Sequence, residues 1–145
     1  MYNRRPRGRR GVTLVETGIV IGVCLIFMLA IFEYGRFVMV KQLVENAARE
    51  GTRQAIVNPS SGTTAAIQAT VTNYLAGQPL QGLSIQVYKA DPATGANLGD
   101  WRTAKFGEGI AVQVSAGYTP MLPTFGFLPA TVNLRATSLM RSEAN

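Results

Sequence analysis

The sequence predicts an α+β protein in which a long N-terminal helix crosses a membrane and continues into a small domain with a second helix and a three-stranded antiparallel sheet. Residues 12–32 are apolar apart from one acid. A helically spaced stripe of small and apolar residues continues this run to about residue 56. Three later segments alternate between apolar and polar residues, which is typical of half-buried strands.

The apolar run has the length of a membrane span. At about 1.5 Å of rise per residue, residues 12–32 form a helix of about 31 Å, close to the roughly 30 Å of a bilayer's hydrocarbon core. The residues that follow, Phe32-Glu33-Tyr34-Gly35-Arg36, are not the small-residue cleavage site of a secretory signal peptide. We therefore predict an uncleaved transmembrane helix over residues 12–33.

Positive charge is concentrated before this span. The 145-residue chain has 14 basic and 8 acidic residues, and residues 1–11 contain five arginines: Arg4, Arg5, Arg7, Arg9 and Arg10. The positive-inside rule places this basic leader, residues 1–11, in the cytoplasm and the C-terminal part outside it. The rest of the chain is nearly neutral and shows no basic–aromatic stripe, so no nucleic acid partner is expected.

The sequence carries no catalytic or metal-binding motif. It has no histidine, and its single cysteine, Cys24, lies inside the apolar run as a small apolar filler, so the commonest general base and any disulfide framework are missing. The polar loop with Asp91, Asn97 and Asp100 lacks the spacing of an EF-hand, and we expect a plain hairpin loop. We predict a protein that is not an enzyme and has no cofactor or metal.

Glu16 is the only charged residue within the apolar run, residues 12–32. A carboxylate costs about 2.5–3.5 kcal/mol at the centre of a bilayer and less near its ends. Charge alone leaves two interpretations open: Glu16 reaches the nearby headgroups, or it pairs with a cation within the membrane. Close by, Gly18 and Gly22 form a Gly-x-x-x-Gly pair on one helix face, which permits packing of a second helix.

The start of the span reads Arg9-Arg10-Gly11-Val12-Thr13-Leu14-Val15-Glu16. It resembles the processing site of type IV prepilins: a basic leader ending in Gly, an apolar residue, and Thr-Leu-x-Glu with Glu at the fifth mature position. The resemblance implies that a prepilin peptidase, a separate protein, cuts between Gly11 and Val12. It also implies that Glu16 pairs with the free amine of a neighbouring Val12, which favours the second interpretation of Glu16.

Two further motifs follow: Phe32-Glu33-Tyr34-Gly35-Arg36 and Asn46-Ala47-Ala48-Arg49-Glu50-Gly51-Thr52-Arg53-Gln54-Ala55. Together they resemble the TadE-like family, the minor pseudopilins of the tight-adherence (Flp) pilus system. The resemblance implies a bacterial inner-membrane protein that acts in pilus assembly, adhesion or secretion. It implies as partners the prepilin peptidase, other pilins or pseudopilins and the pilus assembly platform, in a homo- or hetero-oligomer. The motif residues are Glu33, Tyr34, Gly35, Arg36, Asn46, Ala47, Ala48, Arg49, Glu50, Gly51 and Arg53.

Other functions remain open at this point. A type II secretion pseudopilin shares the processing motif, although residues 46–55 favour the TadE-like family. A membrane-anchored extracytoplasmic binding domain that is never processed is an alternative of a different class. A DNA-binding minor pilin is disfavoured by the near-neutral charge after the leader.

Beyond the span, we predict a helix extension over residues 34–57 and a small α+β domain over residues 58–145. A breaker cluster at 58–62 precedes a second helix at 65–75, capped by Thr63 or Thr64, and strands at 83–88, 110–118 and 132–140. The apolar loop 121–128 is expected to cover the sheet or helix, or to contact a partner. The chain's own sheet, or alternatively a neighbouring subunit, is expected to pack on the stripe of the long helix, formed by Val40, Val44, Ala47, Ala48, Gly51 and Ala55.

Overall fold

The computed structural model describes residues 10–57, 59, 61–121 and 130–143. The predicted α+β class is confirmed, but the sheet has four strands where the sequence predicted three. The elements are α1 (Arg10–Val57), α2 (Thr64–Tyr74), β1 (Leu80–Ala90), β2 (Asn97–Gly99), a 3-10 turn (Trp101–Thr103), β3 (Gly109–Tyr118) and β4 (Val132–Arg141). The additional strand, β2, pairs only with Lys89 and Ala90, and three residues are too few to show an alternating pattern.

Helix α1 has 48 residues and is therefore about 72 Å long. Its bounds agree with the helix predicted over residues 12–33 and its extension over residues 34–57. An 18-residue window within it reaches a mean hydropathy of 2.6, and none of that window is buried against the rest of the protein. By length and composition α1 can cross a membrane, and its first part is a candidate membrane anchor.

The sheet is antiparallel with the strand order β2-β1-β3-β4, and both helices pack on one of its faces. The even-numbered residues of β3 point to the helices, and their cross-strand neighbours on β1 and β4 share that face. The opposite face is mostly polar, as expected for an antiparallel sheet with one solvated side. The buried core contains Val40, Val44, Ala55, Ile67, Val71, Trp101, Ile110, Val112, Val114 and Tyr118.

All six residues of the predicted stripe on α1 are buried, and α1 lies against β3, β4 and α2. The expectation that the chain's own sheet packs on this stripe is therefore confirmed. Small residues are needed where α1 comes closest to α2 and β3. A Cβ atom at Gly51 would lie 2.7 Å from Cγ2 of Val71 and 3.3 Å from Cγ1 of Val112.

Helix α2 also agrees with its prediction. The hydroxyl of its N-cap residue, Thr63, accepts a hydrogen bond from the Ala66 N–H, and Ile67 and Val71 are buried. The indole N–H of Trp101 donates to the Thr64 hydroxyl at 3.0 Å. This bond ties the connection between β2 and β3 to the start of α2.

The polar loop after β1 is a structural turn. The side chains of Asp91, Asn97 and Asp100 each accept a backbone N–H from the residue two positions further on. The hydrogen bond from the Ala93 N–H is the main reason why the pKa of Asp91 lies below its usual range. These side-chain oxygens therefore bind backbone N–H groups close by in the sequence. No cluster of metal-binding side chains occurs among the residues that the structure describes.

The sheet has a defined direction relative to α1. The end of β3 contacts Glu33, near the end of the apolar run, through Tyr118. Glu143 follows the end of β4 by two residues and donates its N–H to the carbonyl of Ile56, near the other end of α1. Strand β3 therefore runs towards the candidate anchor, and β1 and β4 run away from it. Of the predicted apolar loop 121–128, residues 122–128 lie outside the described residues.

We predict that Gly51→Ala lowers the free energy of unfolding by about 1–3 kcal/mol, because the added methyl group overpacks the contact between α1 and α2. The measurement is urea unfolding of the full chain in detergent micelles, followed by the fluorescence of the buried Trp101. Gly35→Ala is the matched control, since a Cβ there has no heavy atom within 4 Å. Equal stability of the two variants would contradict the packing described for Gly51.

Candidate functional site

The predicted processing bond lies in the first turn of α1, because the helix begins at Arg10. The Val12 side chain is 69% exposed. The residue that follows the predicted scissile bond is therefore exposed to a peptidase.

Glu16 lies on the uncovered surface of α1. Its neighbours on this surface are the apolar side chains Val12, Val15, Ile19 and Val20. Among the described residues the only ion pair joins Lys89 and Glu108, so no described cation pairs with Glu16. By contrast, the hydroxyl of the adjacent Thr17 donates to the Thr13 carbonyl at 2.8 Å and is satisfied within the helix.

Gly18 and Gly22 form a notch on the same uncovered part of the helix. A Cβ atom at either position would meet no heavy atom within 4 Å, so the fold of this chain does not explain the small residues. Their predicted role in packing against a second helix stays a prediction.

The junction between anchor and domain is built around Tyr118. Its hydroxyl donates to Oε1 of Glu33 at 2.5 Å, and the backbone N–H of Met121 donates to Oε2 of the same carboxylate at 3.3 Å. The guanidinium carbon of Arg36 lies 5.5 Å from the centre of the Tyr118 ring. The ring of Phe37 meets it edge-on, with centroids 5.5 Å apart. We call these five residues the junction cluster.

The electrostatics of the junction cluster keep Tyr118 protonated. Burial raises the pKa of Tyr118 to about 12, and the hydrogen bond to Glu33 and the charge of Glu33 add to the rise, whereas the charge of Arg36 opposes it. The phenol therefore remains a hydrogen-bond donor at physiological pH. The junction cluster holds the domain against α1, and it contains no reactive group.

The motif residues divide into two groups according to the side of α1 on which they lie. Glu33, Arg36, Ala47, Ala48 and Gly51 face the sheet and α2. The others are exposed: Tyr34, Gly35, Asn46, Arg49, Glu50 and Arg53. The first group explains how the domain is held on the helix, and the second leaves a polar face on its outer side.

The sequence analysis did not identify Tyr118 or Thr52. Tyr118 stands at an even position of β3, in phase with Ile110, so alternation places it on the helix side, where a buried phenol needs a polar partner. The buried Thr52 lies within reach of two acceptors, since its hydroxyl is 2.8 Å from the Ala48 carbonyl and 3.2 Å from the Ser138 carbonyl. The position of Thr52 within the stripe of small residues could have indicated that its side chain is buried.

Residues 11–53 match the family model described as TadE-like protein, which confirms the resemblance drawn from the sequence motifs. The matched segment contains the predicted processing bond, the candidate anchor and both motifs. It ends before α2 and the sheet. Comparison with curated proteins and with solved structures gives no match.

We predict that Tyr118→Phe lowers the free energy of unfolding by about 1–2 kcal/mol near neutral pH, because the Glu33 carboxylate loses a buried donor. The folded-state pKa of Tyr118 is above its ordinary value of 10.0. The stabilisation is therefore fully present below about pH 10 and is lost as the pH rises towards about 12. The difference between the two proteins should shrink over this interval.

The measurement is urea unfolding of the full chain in micelles at about pH 8 and about pH 11, with Tyr74→Phe as control because Tyr74 is 45% exposed. A loss of stability that is the same at both pH values would be inconsistent with the bond between Tyr118 and Glu33.

Proposed function

We propose that this chain, whose residues 11–53 match the TadE-like family model, is a minor pilin or pseudopilin of a tight-adherence (Flp) pilus or secretion system. The observation that carries the proposal is the division of α1. Its first part is apolar and covered by nothing in the described chain, whereas its second part is the core helix of a folded domain. A subunit that assembles laterally through a helix needs such an unused surface.

We further propose that residues 12–33 span the bacterial inner membrane, that residues 1–11 are cytoplasmic, and that residues 34–57 and 58–145 lie outside the cytoplasm. The charge asymmetry of the leader supports this orientation. The junction cluster supports the boundary, because polar contacts to the domain begin at Glu33. Exposed apolar side chains occupy the helix before it.

Processing and assembly are linked through Glu16 in this proposal. Removal of the leader creates a positively charged amine at Val12 of each subunit, and in an assembly this amine can pair with Glu16 of a neighbouring subunit. Opposite charges about 4 Å apart attract by about 4 kcal/mol at an effective dielectric constant of about 20. This attraction offsets the cost of an isolated carboxylate in the bilayer, which is about 2.5–3.5 kcal/mol at the centre and less near the ends, where Glu16 lies. A neighbouring subunit that brings its amine to Glu16 is therefore stabilised within the membrane.

The resemblance to the TadE-like family supplies the proposed partners. The prepilin peptidase acts on the leader, and other pilins or pseudopilins pack on the anchor at Glu16, Gly18 and Gly22. The assembly platform meets the subunit in the membrane. A type II secretion pseudopilin uses the same processing motif, and the match over residues 11–53 favours the tight-adherence system. An anchored domain that is never cleaved would keep its leader, which the following experiment detects.

We predict that co-expression with a prepilin peptidase removes residues 1–11 and exposes Val12 as the new N-terminus. Gly11→Ala should block this shortening, because the residue before the scissile bond lies closest to the peptidase. Gly18→Ala, a matched change seven positions further along the same helix, should be cleaved normally. The measurement is intact mass and N-terminal sequencing of the membrane fraction. An intact Met1 in native membranes that contain the peptidase would contradict the pilin proposal and favour an anchored domain that is never processed.

We predict that Glu16→Val leaves cleavage unchanged and weakens association of mature subunits about tenfold or more, the factor that corresponds to about 1.4 kcal/mol. The reason is loss of the carboxylate that pairs with the Val12 amine. The measurement is recovery of an untagged copy with a tagged copy from detergent extracts after processing. Glu50→Val, an exposed change outside the proposed span, is the control. Undiminished recovery for Glu16→Val would remove the ion pair from the mechanism.

A further inference from the structure

Among the residues that the structure describes, β4 is an edge of the sheet that no further strand covers. It stands last in the order β2-β1-β3-β4, and no strand of the described residues lies beyond it. It has ten residues, its register with β3 is unbroken by any bulge, and it contains no proline. Natural proteins commonly blunt an exposed edge with bulges, prolines or a covering element, because such an edge is a template for another strand.

The hydrogen-bonding direction of β4 follows from its last contacts. Ser142 donates its N–H to the Glu108 carbonyl at 2.8 Å and accepts from the Gly107 N–H at 3.0 Å, so its backbone groups face β3. Because successive residues of a strand face opposite sides, the backbone groups of every odd-numbered residue point outward. These residues are Asn133, Arg135, Thr137, Leu139 and Arg141.

The other edge of the sheet is protected. The outward carbonyl of Ile85 on β1 accepts a hydrogen bond from the Gln68 side chain of α2 at 3.1 Å, and β2 pairs with the end of β1. The two edges thus differ: α2 and β2 contact part of the β1 edge, whereas the outward backbone groups of β4 have no strand partner among the described residues.

Basic side chains surround the free edge. Arg135 and Arg141 are exposed on the strand itself. On the helix side, grooves of about 240 Å³ and about 320 Å³ separate β4 from α1, and Lys41 and Arg49 line them. Glu45 is the one acid that lines these grooves. A strand added here meets cations on both of its faces.

We propose that the free edge of β4 binds an extended acidic segment of a partner protein by β-strand addition. The backbone of the segment continues the sheet, and its alternate side chains point to the two sheet faces. Acidic residues on one side then meet Arg135 and Arg141, and those on the other side meet Lys41 and Arg49. Backbone pairing supplies binding, and the charges select an acidic sequence.

A second copy of this chain does not fit the edge. Strand β4 runs away from the anchor, so an antiparallel β4 from another copy would direct its anchor to the opposite side of the membrane. A parallel pairing of the two edges would bring four arginines together. This step rests on the proposed membrane anchoring, whereas the binding test below uses the full chain and is independent of processing.

The test uses the full chain in detergent micelles and a fluorescent ten-residue probe peptide of alternating acidic and β-branched residues. The expected result is saturable binding, with slower amide exchange at Arg135, Thr137 and Leu139. A peptide with lysines replacing the acids, and one with central prolines, should not bind. Saturable binding of the proline peptide, or no binding of the acidic peptide, would overturn the proposal.

Two variants locate the site. The double change Arg135→Glu and Arg141→Glu should weaken binding about tenfold or more, whereas Arg102→Glu with Lys105→Glu alters the same charge elsewhere on the exposed surface and should not. Thr137→Pro removes one outward N–H and should prevent binding while Trp101 fluorescence shows a folded domain. Equal effects of the two double variants, or concentration-dependent protection of β4 without any peptide, would contradict the proposal.

Discussion

In its first part, helix α1 exposes apolar side chains on all sides. In its second part, a single stripe of small residues packs against the domain. The domain depends on this second part, because β3, β4 and α2 all pack against it. Close approach at Gly51, where no Cβ can be accommodated without movement, fixes the distance between the helix and the sheet. A chain with larger residues on this stripe would have to hold its domain further away, with fewer contacts for the same strands.

The junction cluster sets the height and the rotation of the domain on the helix. Glu33 accepts hydrogen bonds from Tyr118 at the end of β3 and from Met121 in the connection that follows. At the other end, the N–H of Glu143 reaches the Ile56 carbonyl. Fastened at both ends and packed between them, the domain is held along the side of the helix. The first part of the helix is left for contacts outside this chain.

Prediction from the sequence succeeded where a pattern repeats over many residues. The 3.6-residue period of the stripe on α1 and the alternation of β3 and β4 gave elements and buried faces that the structure confirms. It failed for β2, which is too short to carry a period. It also failed for the bond between Tyr118 and Glu33, because residues 85 positions apart in sequence meet only once the sheet is folded. The polar loop after β1 shows the intermediate case, since turn residues predicted its type but not the short strand within it.

The two surfaces that the described residues leave uncovered lie at different positions along the molecule. The exposed part of α1 with Glu16 and Gly22 lies before the junction cluster, whereas the free edge of β4 lies beyond it along the domain. A neighbouring helix that packs on the anchor therefore does not cover the ladder of outward groups on β4. If the helix gives lateral assembly, the edge is available to a partner that need not share the membrane. The exposed Lys41 lines the groove beside that edge and lies nearer to the anchor than Arg49 does, so the two kinds of contact come closest at Lys41. Charge at this position would then influence the acidic segment more than the packing of the anchors, because it stands well outside the proposed span.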